Sequence, residues 1–213
     1  MSGHGEGSRV ALTFDMEHPS RSSQRADGPA RLLDTLAGTT TRATFFVQGR
    51  WARSHPELAR RVADEGHLVA NHSHFHAPLP YLTDHGIRAD LASSTEAVQQ
   101  VMGADPRPWF RCPFGAGHDD ARVLSLLDEA GYRNVHWNVD PSDWEAGRTV
   151  DEIVDEVVEG VHEVGDGAIV LMHTWPSATP DAVPLLIERL ARDGAQFVGV
   201  DELVKVAPAG NRG

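Results

Sequence analysis

Five short segments of this sequence concentrate the side chains that could do chemistry. "TFDMEH" sets Asp15, Glu17 and His18 within four positions, around Met16. "NHSHFH" carries His72, His74 and His76 at alternate positions. Arg111 stands in "RCPFG", Asp140 and Asp143 stand in "DPSDW" ahead of Trp144, and His173 closes "LMH". Carboxylates and imidazoles can each move a proton or ligate a cation. His72 and His76, four residues apart, would share one face of a helical turn and could share a metal ion. On an extended backbone all three histidines would align, so the spacing alone leaves the pair open. Two imidazoles and a carboxylate suit zinc or another late divalent metal with open positions for water and substrate. Taken singly, an Asp after a strand is ordinarily a helix cap and a lone His a hydrogen-bonded core residue.

The elements around these residues give them a common address. Short apolar runs alternate with amphipathic stretches along the whole chain: "RVALTFDM" before "PARLLDTLAG", "RATFFVQG" before "PELARRVADEG", "HLVANHS" before "DHGIRADLASSTEAVQQVMG". The alternation continues with "PWFRCPFG", "DARVLSLLDEAG", "RNVHWNVD", "TVDEIVDEVVEGVHEVG", "AIVLMH", "AVPLLIERLARDG" and "QFVGVDELV". Such repetition predicts an α/β fold with a parallel sheet and helices packed outside it. The polar residues fall at the C-terminal ends of successive strands, the face that carries active sites in βα barrels, so a closed or nearly closed barrel of seven units fits better than an open sheet.

Composition narrows the function classes. The chain has 213 residues, enough for one domain with a full core, expected over residues 9–206 with short tails at 1–8 and 207–213. A net charge of −12 speaks against a broad grip on nucleic acid. The one cysteine, Cys112, excludes an internal disulfide; with Pro113 next and no base adjoining, it reads as a buried small hydrophobe rather than a nucleophile. No run reaches the ~20 apolar residues of a membrane span. The opening "MSGHGEGSRV" lacks the apolar stretch of a signal peptide, so a cytoplasmic location is expected.

In their order, these segments resemble the polysaccharide deacetylases, the chitooligosaccharide-deacetylase homology domain of carbohydrate esterase family four. The resemblance runs from Arg9 to Val204. It rests on His72-Ser73-His74-Phe75-His76, on Arg111 to Gly115, on Asp143-Trp144 and on Leu171-Met172-His173. It implies a distorted seven-stranded (β/α) barrel and a divalent metal, zinc foremost, held by His72 and His76. It further implies Asp15 as general base paired with Arg111, and His173 as general acid oriented by Asp143. A backbone N–H, that of Phe114, would serve the oxyanion, with Trp144 and Leu171 lining a slot for an acetyl methyl. The family's first motif departs here, because Met16 stands where a second aspartate ligates the metal. A thioether is no substitute for a hard anionic ligand. Glu17, on the same side of a strand as Asp15 and one methylene longer than aspartate, is the favoured replacement. His18 is an alternative, and loss of the metal site is the third reading. The activity implied is hydrolysis of an N-acetyl group on an N-acetylated sugar or oligosaccharide. The alternative is an intracellular amidase acting on a small non-sugar amide or ureide.

Overall fold

The computed structural model describes residues 7–18 and 27–203. The elements run β1 (Arg9–Met16), α1 (Gly28–Thr39), β2 (Thr44–Val47), α2 (Gly49–Ser54), α3 (Pro56–Asp64), β3 (Leu68–Asn71), α4 (Asp84–Met102) and β4 (Trp109–Phe110). They continue with α5 (Ala121–Glu129), β5 (Arg133–Asn134), α6 (Val150–Val164), β6 (Ala168–His173), α7 (Thr179–Arg192), β7 (Gln196–Phe197) and α8 (Val200–Leu203). The expected tails lie outside the described residues, apart from residues 7 and 8.

All strand pairs are parallel, in the order β5-β4-β3-β2-β1-β6. β1 is the axis of this arrangement. Along one edge it pairs with β6 from Val10–Ala168 to Asp15–His173. On the other it meets β7 at Arg9 and Val10, and β2 from Thr13 onward. One segment closes the ring: Arg133 and Asn134 pair with β4, and Val139, a few residues on, bridges Val170 of β6. The fold is therefore a distorted seven-stranded (β/α) barrel.

The period of two along β1 decides what faces the barrel lumen. Val10, Leu12, Phe14 and Met16 point outward and are buried with Leu32, Leu33 and Leu36 of α1, Val157 of α6 and Leu186 of α7. Ala11 points inward and packs with Phe46, Ala70, Trp109, Val135 and Val200. Thr13 continues this inward row, its hydroxyl donating to the Val170 carbonyl at 2.6 Å, and Asp15 follows it to the rim. Met16 thus lies in the helix–sheet layer, on the far side of the strand from Asp15.

Caps set the helix ends where the sequence places them. Thr83 accepts the Gly86 N–H at the start of α4, and Gly103, in the left-handed region, ends it. Thr149 and Glu152 form a reciprocal capping box on α6. Several of the expected strand runs are shorter than their apolar stretches. "RATFFVQG" is strand only to Val47, with α2 starting at Gly49, and "QFVGVDELV" is strand for two residues before it turns into α8. No helix among the described residues is long and apolar enough to cross a membrane. Cys112 is buried, and burial pushes its thiol up to about 12, which leaves no thiolate for nucleophilic attack.

Candidate metal centre and proton-transfer site

The parallel register of β1 and β6 brings Asp15 and His173 side by side at the rim. Just past β1, Gln48 holds the chain straight. Its N–H donates to the Met16 carbonyl at 3.0 Å, and its side-chain oxygen accepts the His18 N–H at 2.9 Å. The alternation therefore persists one step beyond the strand, and Glu17 turns into the barrel mouth while His18 turns aside toward the ring of His55, 5.6 Å away.

The histidine segment is neither a helical turn nor a strand. Ser73 and His76 take left-handed backbone (φ 63° and 58°), a conformation that local hydrogen bonds must hold in place. The Asn71 side chain accepts the Ser73 N–H at 2.9 Å, and the Ser73 hydroxyl accepts the His76 N–H at 2.9 Å. Buried Asp90, on α4, accepts the N–H groups of His74 and Phe75 at 2.8 and 3.0 Å. The wrapped loop sets the Nε2 atoms of His72 and His76 3.1 Å apart. His74 faces away, against Gly49, where a Cβ would come within 2.6 Å of its Nδ1. The i,i+4 spacing thus selects the pair that converges, but through a strained loop instead of a helix.

Glu17 Oε2 joins these two nitrogens, the three ligand atoms lying within 4.8 Å of one another. His72 Nδ1 contacts the Arg111 carbonyl at 2.9 Å; a carbonyl only accepts, so Nδ1 carries a proton and Nε2 is the nitrogen turned toward the cluster. Glu17 Oε2 contacts His76 Nε2 and lies 3.5 Å from His72 Nε2, while Glu17 Oε1 accepts the indole N–H of Trp175 at 3.1 Å. Burial alone would push the Glu17 carboxyl up, but hydrogen bonds and charge from His72 and His76 outweigh it and hold it below the usual range. Two imidazole nitrogens and a carboxylate oxygen converging on one buried point form the N,N,O donor set of a zinc-type site. Asp15 stands beside it. Its Oδ1 accepts from Arg111 Nη1 at 2.8 Å, and its Oδ2 lies 3.4 Å from His72 Nε2. Arg111 is fully buried, its guanidinium carbon 3.9 Å from the centre of the Phe46 ring.

Across the mouth, Asp143 Oδ1 accepts from His173 Nδ1 at 2.7 Å, and its Oδ2 takes the His173 N–H at 2.8 Å and the Thr179 hydroxyl at 2.7 Å. Burial pushes the His173 imidazole down; the charge and hydrogen bond of Asp143, helped by Asp15 and Glu17, outweigh it and raise it to about 9. The ring is cationic at neutral pH, with Nε2 free of the Asp143 contact. A cavity of about 1050 Å³ opens between the two halves, lined by Asp15, Glu17, His76, Leu171, His173 and Trp144, among others. Phe114, left-handed at φ 58°, lays its exposed ring 4.4 Å from that of His76. Asp140 is exposed and closes a turn by accepting the Ser142 N–H.

Asp15, Glu17, His72, His76, Arg111, Phe114, Asp143, Trp144, Leu171 and His173 are thus gathered at one rim. His74 is left out, and His18 lines the cavity without joining the donor set. Sequence reasoning missed Gln48, Asp90, Trp175 and Thr179. Asp90 left a trace, as a carboxylate on the buried stripe of Ile87, Leu91, Ser94 and Val98. The other three carry no periodic or motif signal.

Comparison with known proteins gives the geometry a context. The family profile described as polysaccharide deacetylase matches residues 2–135. The chitooligosaccharide deacetylase of Rhizobium leguminosarum bv. trifolii is 41% identical over 169 residues, covering 77% of this chain and 70% of that protein. The peptidoglycan-N-acetylmuramic acid deacetylase PdaA of Bacillus subtilis is 29% identical over 197 residues, covering 92% and 71%. The crystal structure of BA3943, a CE4 family pseudoenzyme from Bacillus anthracis, superposes with a TM-score of 0.81 at 27% identity, covering 94% of this chain and 66% of that one. A mutant of it with restored enzymatic activity superposes at 0.82, with 28% identity and coverages of 94% and 69%.

Proposed function

The chain belongs to the polysaccharide deacetylase family, hydrolases of amide carbon–nitrogen bonds, and we propose that it removes the acetyl group from an N-acetylated sugar or oligosaccharide with a divalent metal, zinc, held by Glu17, His72 and His76. The observation that carries this reading is the convergence of that donor set with an Asp15–Arg111 pair and a cationic His173 around one cavity. When bound, such a metal polarises the amide carbonyl and lowers the pKa of a coordinated water from about 15.7 toward about 7.

The residues of the chain supply the rest. Arg111 orients Asp15, so that its carboxylate can take the proton of the attacking water. Phe114 lines the cavity, and its backbone N–H is assigned to the developing oxyanion. His173, protonated and aimed by Asp143, delivers a proton to the leaving amine. Leu171 and Trp144 form the apolar slot for the acetyl methyl. Phe114, Trp137, Trp144 and Trp175 give the cavity aromatic walls on which the apolar faces of a sugar can lie. These walls, with relatives named for chitooligosaccharide and peptidoglycan, favour a carbohydrate over a small ureide. A fold alone does not carry activity, as the BA3943 pseudoenzyme shows, so the reading rests on the site.

Acetate release from N-acetylated chitooligosaccharides tests it. Hydrolysis that chelation abolishes and zinc restores is expected. Turnover of a small ureide with no acetate released from any N-acetylated sugar would overturn it.

A further inference from the structure

The geometry points to Trp175 as a positioning residue that fixes Glu17 in its ligating conformation, an inference that rests on the metal site proposed above. A carboxylate at position 17 has one more rotatable bond than an aspartate, and ordering it costs side-chain entropy. A ligand of that length needs a second contact to aim one oxygen at the metal position. Trp175 supplies that contact. Its indole N–H holds Oε1 at 3.1 Å, which leaves Oε2 facing His72 and His76.

The indole stands on a rigid platform. Asp143 Oδ2 takes both the His173 N–H and the Thr179 hydroxyl, so one carboxylate pins both ends of the segment that carries Trp175. Thr174 N–H donates to the Asp15 carbonyl at 3.2 Å, tying the segment to β1. The start of α1 closes over it, since a Cβ on Gly28 would come within 2.8 Å of the Thr174 carbonyl. The Trp175 ring lies 5.5 Å from that of His173, so the same loop positions a metal ligand and flanks the proton donor. Hydrogen-bonding partners behind metal ligands are worth roughly 10–100-fold in metal affinity.

Trp175→Phe removes the N–H and keeps an aromatic ring. Zinc affinity, measured by competition with a chromogenic chelator, is expected to fall by roughly 10–100-fold, while the thermal midpoint of the metal-free protein stays unchanged. Should the phenylalanine variant fail to fold, benzothienylalanine incorporated at position 175 replaces only the N–H by sulfur, and the same loss of affinity is expected. Equal zinc affinity in the wild type and in the folded variant overturns this inference alone. A wild-type chain that binds no divalent metal overturns the proposed function and this inference with it.

Discussion

His72 and His173 are both buried imidazoles that donate through Nδ1 and have carboxylates for neighbours, yet they are built for opposite tasks. His72 donates to a neutral backbone carbonyl, and the negative groups, Asp15 and Glu17, lie in front of its Nε2. His173 donates to the Asp143 carboxylate, so the negative charge lies behind the ring and Nε2 is left to face the cavity. Charge in front of Nε2 invites a cation there. Charge behind the ring holds a proton on it that can be handed forward. The side of the ring on which the carboxylate sits distinguishes a metal half of this rim from an acid half.

The harshest way to break this comparison is to empty the metal half. His72→Ala or His76→Ala should abolish metal binding and lower kcat/KM by roughly 10³-fold or more, with the fold retained by circular dichroism. Substantial activity in either variant would mean that the pair is not the ligand set.

The acid half is sharpened by pH. With His173 raised to about 9, activity should hold through neutrality and fall as pH rises past that value. Asp143→Asn should cut kcat by roughly 10²–10⁴-fold and move the alkaline limb down toward the ordinary imidazole value of 6.5. The same sign governs stability. A raised imidazole contributes fully below 6.5, and its contribution is lost as pH climbs through about 9. An alkaline limb at the same pH in both proteins would contradict the pairing.

Met16→Asp restores the family's aspartate pair in sequence, but it would place a carboxylate among Leu32, Leu36 and Phe14 instead of at the metal position. The expected result in denaturant titration is a loss of about 3–5 kcal/mol, with no gain in metal affinity. Asp90→Asn is gentler. One of the two loop N–H groups loses its acceptor and the other keeps only a neutral one, so stability should fall by about 1–2 kcal/mol and zinc affinity a few-fold.

These contrasts show why some of the rim was legible in the sequence. The barrel could be read because β1 and β6 are long, apolar and end on polar groups, and because α4 and α6 announce their caps. Glu17 could be read from the period of two, which Gln48 extends past the end of the strand. Other features depend on contacts between distant parts of the chain. β4, β5 and β7 are two residues long, too short for a period to show in the sequence. The His72–His76 convergence comes from left-handed residues held by Asn71, Ser73 and Asp90, not from the helical turn that the spacing evokes. Trp175 reaches Glu17 across more than 150 positions of sequence, and no local pattern encodes that contact.

The account turns on which side chain completes the two-histidine site. A crystal soaked in zinc, with data collected at the metal's absorption edge, tests this most directly. The account predicts one anomalous peak about 2.0–2.2 Å from Glu17 Oε2, His72 Nε2 and His76 Nε2. A peak bound by His18 with Glu17 turned away, or no peak at this rim, would contradict it.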